Sequence, residues 1–271
     1  MSEPFASSAI VLDWQDLILA TLLVLITGLL SIALRLDLHR RLAIASVRTV
    51  AQLLLVGSVL RFVFRIESWW AIAAVAMVML LAASLASVRR SSRTYTGAGP
   101  FAFLTLVLTG LLSTSIVTGL VIGARPWYQP QYLIPLLGMV LGNGLTGISL
   151  CLDTLLESLA QRRHVVEMEL ALGATRWEAS LPPLRSAIKK GMIPIINSMS
   201  VVGIVSLPGM MTGQILAGAD PAQAVRYQIV VMFMIAAATS LGCACIGVLT
   251  CRRLFNERHQ LRSELIRPRK R

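Results

Sequence analysis

Glu167-Met-Glu-Leu-Ala-Leu-Gly-Ala-Thr-Arg-Trp-Glu-Ala-Ser-Leu-Pro-Pro-Leu184 is a polar island between two long apolar runs. That alternation, long apolar run against short polar connection, decides the fold. The first half of the island patterns as a helix, with Gly173 as its flexible point or its end. Pro182 and Pro183 predict a stop and a change of direction, because proline lacks an amide hydrogen and restrains the residue before it. The whole stretch reads as a compact helix-turn element on a membrane surface, shaped to be gripped by another chain.

Working outward, the 271 residues are 56% hydrophobic and 14% charged, with a mean hydropathy of +0.74. Soluble domains carry nearer a quarter charged residues, so the class is an integral membrane protein. The net charge of +12 does not mark a nucleic-acid partner. The basic residues sit at the ends of apolar runs, where they report topology and meet a lipid bilayer. Four cysteines form no framework pattern. Glu3, Asp13 and Asp16 precede the first apolar run in place of a basic leader, so no cleaved signal is expected.

Seven apolar runs are expected to span: 17–34, 50–64, 69–88, 101–123, 132–152, 192–217 and 225–250. The second is the weakest, shortened by Arg48 and Arg61. With the N-terminus outside and the C-terminus in the cytosol, 21 of the 25 Lys and Arg fall on the cytosolic side. Only Arg61, Arg65, Arg125 and Arg226 lie outside, the asymmetry that sets orientation. The expected fold is therefore an all-α polytopic bundle of about seven transmembrane helices, one permease domain over residues 1–271. A cytosolic coupling segment covers 153–191 and a basic cytosolic tail covers 252–271, read as meeting anionic headgroups.

Chemistry is mostly absent. No Asp, Glu or His falls near the middle of an apolar run, which argues against a proton- or sodium-driven carrier. No HExxH, GxSxG or Walker-type loop occurs, so the chain has no catalytic residues to name and binds no ATP in the P-loop manner. A transport step would draw its power from a partner.

Two resemblances sharpen this. Glu169-Leu-Ala-Leu-Gly173-Ala174-Thr175-x-Trp177, with Leu181-Pro182 following and Glu167 preceding, resembles the cytosolic coupling loop of ABC-transporter permeases. It departs from that pattern in having Glu-Leu-Ala for Glu-Ala-Ala, and in an early Leu-Pro. The other reading is an interfacial amphipathic helix. Ser46-Val-Arg-Thr-Val-Ala-Gln-Leu-Leu-Leu55, Gly138-Met-Val-Leu-Gly-Asn-Gly-Leu145 and the long string from Asn197 to Asp220 resemble the FetB/YbbM family. These are bacterial ABC permeases linked to iron export, related to plant half-transporter subunits of aluminium tolerance. The resemblance runs from about Arg35 to Thr250. It implies a multi-pass inner-membrane permease, a homodimer beside a cognate ATPase that carries ATP and magnesium, and export of iron or another metal. No cofactor is expected on this chain.

The sixth run is the candidate pathway. Pro208-Gly209 predicts a kinked or broken helix, whose freed carbonyls could line a cavity or simply pack. Asn197, Ser198, Ser200 and Gln214, with Thr212, make it unusually polar. Met192, Met199 and Met210 share a face if the helix is continuous, and Met211 adjoins them. Thioethers suit soft metals, but also fill packing gaps. Asn143, between Gly142 and Gly144, needs a hydrogen-bond partner from a helix or a substrate. Gly138/Gly142 and Gly209/Gly213 have the spacing that suits helix association or a dimer seam. The rival to a coupled permease is a self-sufficient carrier or channel; a membrane adaptor is the third class.

Overall fold

The computed structural model describes residues 13–66 and 68–268. Nine helices are present among them: α1 Trp14–Ala33, α2 His39–Ile66, α3 Trp69–Arg90, α4 Ala98–Val121, α5 Pro130–Gln161, α6 Arg163–Ala171, α7 Arg176–Val201, α8 Gly209–Leu216 and α9 Pro221–Leu254. Six of them, α1 to α5 and α9, are long and apolar enough to cross a membrane. The second run is no weak span: α2 has 28 residues, roughly 42 Å of helix against a hydrocarbon core of roughly 30 Å.

Helix α3 supplies a ruler. Trp69 and Trp70 stack at one end, centroids 3.5 Å apart, and Arg89 and Arg90 occupy the last turn at the other. Aromatic rings and cations favour membrane interfaces, and 22 residues reach about 33 Å. We call these the tryptophan end and the arginine end. Arg90 donates to Thr146 Oγ1 of α5 (3.3 Å), and Ser149 Oγ donates to the Ser87 carbonyl (2.9 Å). Position 146 of α5 therefore lies level with the arginine end.

Helices α5, α7 and α9 pack most extensively on one another, with α3 against α5 and α4 against α3 and α9. Small residues permit this. A Cβ on Gly191 of α7 would sit 2.8 Å from the Gly147 carbonyl of α5 and 2.7 Å from Cys243 Sγ of α9. A Cβ on Gly247 would collide with Leu184. Of the glycines at seam spacing, Gly138 abuts Met79 of α3, 3.3 Å from a built Cβ, while Gly142, Gly209 and Gly213 have nothing within 4 Å. Cys151, Cys243 and Cys251 are buried packing residues; Cys151 Sγ donates to the Cys243 carbonyl (3.5 Å).

Helix α4 is not a plain α-helix. It contains two π turns, Val107–Leu111 and Val117–Val121, with the hydroxyls of Thr109 and Thr118 returned to carbonyls four residues back. Such turns insert a residue into the helix and re-aim the side chains beyond. Helices α1 and α2 form a hairpin that touches the body mainly through Leu60, Val63 and Phe64, packed against Ile72, Leu133 and Ile134. The rest of the hairpin is almost entirely uncovered.

The break expected at Pro208-Gly209 is present, as α7 ends at Val201 and α8 begins at Gly209, so run 192–217 is not a single membrane-length helix. One expectation is corrected: Pro182 and Pro183 stop nothing, since both lie inside α7. They remove donors for the carbonyls of Glu178 and Ala179, yet the stripe Ser180, Leu184, Ala187, Gly191 and Ile195 is buried at helical spacing. Tertiary burial overrides the local penalty.

Candidate functional site

The polar island folds into an elbow. Helix α6 ends with Gly173 at φ +98°, a conformation glycine adopts without a Cβ clash. The Ala174 amide donates to the Glu169 carbonyl (3.0 Å) and the Gly173 amide to the Leu170 carbonyl (3.2 Å), the paired bonds of a Schellman motif. Two residues on, α7 opens with a capping box. The Thr175 amide donates to Glu178 Oε2 (2.8 Å) and the Glu178 amide donates to Thr175 Oγ1 (3.3 Å). The Thr175 amide, then its hydroxyl, hold the Glu178 carboxyl below its usual range. Sequence reasoning missed this cap, although Thr-x-x-Glu is its signature; the adjacent prolines drew the turn to the wrong place.

Of the residues read as coupling groups, Glu167 pairs with Arg163 along α6 (2.7 Å) and Glu169 closes the Schellman turn through its carbonyl. Gly173, Ala174 and Thr175 make the turn itself. Trp177 stands on the first turn of α7, 48% exposed, while Leu181 and Pro182 continue that helix. The elbow keeps Val166 buried but presents Leu172 (80% exposed) and Met168 (56%). The elbow thus carries large apolar side chains uncovered on an otherwise polar turn.

The second cluster lies at the far end of α7. Between Val201 and Gly209 the chain turns through Gly203 (φ +85°), and the Gly203 and Ser206 backbones pair (2.9 Å). Pro208 is the residue before α8, not a kink within a helix, and Gly209 opens α8 without positive φ. Ile204 and Val205 are bare at the tip, 89% and 79% exposed. A cavity of about 530 Å³ lies between this turn and α9, lined by Met199, Met211, Met232 and Gln228 among others. Gln228 is buried, with Oε1 unpartnered among the described residues, as is Gln214 Oε1. Gln228 went unnoticed in the sequence; an amide inside the apolar α9 run was the available signal.

The remaining pathway candidates do not join this cavity. Asn197, Ser198 and Ser200 are exposed on α7, and Asn143 is exposed on α5 with its amide returned to the Met139 carbonyl (2.9 Å). Met192, Met199 and Met210 lose the continuous helix that would align them, yet all pack against one cluster around Val231 and Ile235. Among the described residues no group of three or more His, Cys, Asp or Glu could hold a metal ion.

The basic tail is the third surprise. Arg252 and Arg253 belong to the last turn of α9, and the chain then folds back on the elbow. Phe255 and Leu261 are buried and bridge one another, the Arg176 amide donates to His259 Nδ1 (2.8 Å), and Arg267–Pro268 pairs antiparallel with Arg93–Thr94. Tyr95 beside this strand bonds Thr250 Oγ1 (3.0 Å), and burial pushes its phenol up to about 12. Residues 269–271 lie outside the described residues.

Taken together, six membrane-length helices joined by short connections and a polar elbow define a polytopic α-helical membrane protein. A sequence profile described as Uncharacterised protein family (UPF0014) matches residues 14–255. The chain belongs to that family. It is 38% identical over 258 residues to UPF0014 membrane protein slr1647 of Synechocystis, covering 92% of this chain and 96% of that one. It is 32% identical over 248 residues to the Probable iron export permease protein FetB of Escherichia coli, covering 91% and 94%. It is also 32% identical to the Protein ALUMINUM SENSITIVE 3 of Arabidopsis thaliana, covering 91% of this chain and 89% of that protein. No solved structure matches.

Proposed function

We propose that this chain is the membrane subunit of an ATP-driven exporter, moved by a separate ATPase chain that grips the α6–α7 elbow. One observation carries the reading: a rigidly capped turn at the arginine end holds Leu172, Met168 and Trp177 out of any apolar environment. ATP and magnesium belong to the partner. The arginine end faces the cytosol of a bacterial inner membrane, the N-terminus lies outside, and α7 with α8 forms a broken seventh crossing. The cargo is iron or another metal, supported by the printed name of the FetB relative.

Two copies act together. Arg48, Gln52, Asn143, Asn197 and Ser200 are exposed on α2, α5 and α7, and polar side chains at membrane depth face a bundle interior or a cavity in preference to lipid. The dimer covers them and the pathway runs between the copies, with the Met199–Gln228 cavity opening beside it. ATP-driven closure of the partner pair pulls the elbow, and the Gly203 turn rearranges.

The test is co-purification with the cognate ATPase and reconstitution in liposomes. Glu169→Lys and Gly173→Pro are expected to abolish stimulation of ATP hydrolysis while membrane insertion persists. Metal transport by the chain alone, driven by an ion gradient, overturns the reading. Unchanged metal export after Met199→Leu with Met210→Leu removes thioether contact from it.

A further inference from the structure

Helix α9, the α7 N-terminus and the folded-back tail border an open basin of about 590 Å³ whose lining includes five exposed arginines, Arg176, Arg252, Arg253, Arg258 and Arg262, and a single carboxylate, Glu257. Among the described residues the only side-chain ion pair is Arg163–Glu167, so none of the five guanidiniums is neutralised by a neighbouring carboxylate. We propose that this basin binds a phosphate group and that the bound phosphate locks the tail to the elbow.

The site is built, not a loose basic tail. Buried Phe255 and Leu261 anchor both strands of a short hairpin. Asn256 Nδ2 donates to Gln260 Oε1 (2.8 Å), the Gln260 amide donates to Asn256 Oδ1 (2.8 Å), and the Arg262 amide returns to the Leu254 carbonyl (2.8 Å). The hairpin thus brings Arg258 and Arg262 to the same basin as Arg252 and Arg253, with Arg176 brought in by the bond from its amide to His259. Guanidinium forks match phosphate oxygens two at a time, which a lysine cluster would not do.

Depth separates the two sources of phosphate. Cys243 of α9 meets Gly191 beside Gly147, at the level of the Arg90–Thr146 bond. Arg252 is nine residues further along α9, about 13 Å beyond that level. A headgroup layer is roughly 5–8 Å thick per leaflet. The basin therefore lies past the headgroups, where a soluble phosphate ester or polyphosphate reaches it more readily than a lipid does.

Full-length protein in zwitterionic phosphatidylcholine nanodiscs is titrated with sodium pyrophosphate, against sodium chloride of equal ionic strength, while the thermal midpoint is followed. A saturable rise of roughly 3–5 °C is expected at ten times the half-saturating concentration. Arg252→Gln with Arg258→Gln is expected to weaken half-saturation about a hundredfold, the loss of two charge-assisted bonds. Arg185→Gln, exposed on α7 outside the basin, is expected to change nothing. If the double variant does not fold, Arg252→Lys, which keeps the charge and loses the fork, serves instead. A second arm uses phosphatidylglycerol nanodiscs without pyrophosphate. Stabilisation there that the arginine variants remove assigns the phosphate to a headgroup. A response identical to chloride, or one that the variants leave intact in both arms, overturns the proposal.

Discussion

The two ends of α7 solve the same problem in opposite ways. Each follows a break in the helical path from α5 to α9, and each break uses one glycine at positive φ, Gly173 (+98°) and Gly203 (+85°). The elbow end is closed: a Schellman turn, a capping box and a histidine from the tail satisfy its backbone, and an ion pair braces α6. The Gly203 end has backbone bonds of its own but no side-chain cap on α8, an exposed apolar tip and unpartnered amides nearby. Between them 26 residues make a rod of about 39 Å, pinned near its middle at Gly191. A rod held at one point and stiff at one end can carry a displacement to a softer end. That is the lesson of the comparison.

The largest effect is expected at the pin. Gly191→Leu has no room beside the Gly147 carbonyl and Cys243, and overpacking of this kind costs roughly 1–3 kcal/mol or more. Loss of monodisperse protein or a sharply lowered thermal midpoint is expected. Gly213→Leu, with open space around it, should leave the midpoint in place. Equal behaviour of the two variants would remove the pin, and with it the lever.

Next come the two turns themselves. Gly173→Ala and Gly203→Ala both force a side chain into left-handed backbone, about 1–2 kcal/mol each. Stability alone will not distinguish them; function should. The elbow variant is expected to lower ATPase stimulation at unchanged membrane insertion. The Gly203 variant is expected to keep stimulation and lower transport per ATP hydrolysed, measured on the same liposomes.

How much of this was legible in the chain follows from which interactions are local. Apolar run length placed all six membrane helices, and the break near Pro208 followed from proline and glycine together. The elbow's position was legible through Gly173, while its second wall was misplaced, because Pro182 and Pro183 look like a stop unless the burial of Ser180, Leu184 and Ala187 is known. The Gly147–Gly191 contact, the tail folded onto α7 and the cavity at Gln228 depend on distant segments meeting. No local pattern encodes them. Gly138 and Gly142 carry one spacing signal, yet only Gly138 meets a neighbour within the chain, Met79 of α3.

A smaller effect isolates the cap. Thr175→Ala removes the hydroxyl that accepts from the Glu178 amide and should cost about 1 kcal/mol, as lost caps do. The loss should appear as faster amide exchange at residues 176–178 and a reduced response to the partner, with the Gly203 turn unaffected. Exchange that quickens equally at both ends would mean the rod unfolds as a unit.

The smallest effect is a pH dependence at the same cap. The Thr175 amide and hydroxyl lower the folded pKa of Glu178 beneath its ordinary 4.5. A carboxyl lowered on folding contributes stability that is complete above its unfolded pKa and is lost as pH falls through the folded one. The difference between wild type and Glu178→Gln in amide protection at Thr175 should hold steady from neutral pH to about 5, then shrink as the carboxylate takes its proton. Because the group is fully exposed, the readout must be local exchange, not the global midpoint. A difference that persists unchanged into acid would mean that the side chain's shape, and not its charge, closes the elbow, and the contrast between the two ends of α7 would then rest on Gly173 and its Schellman turn alone.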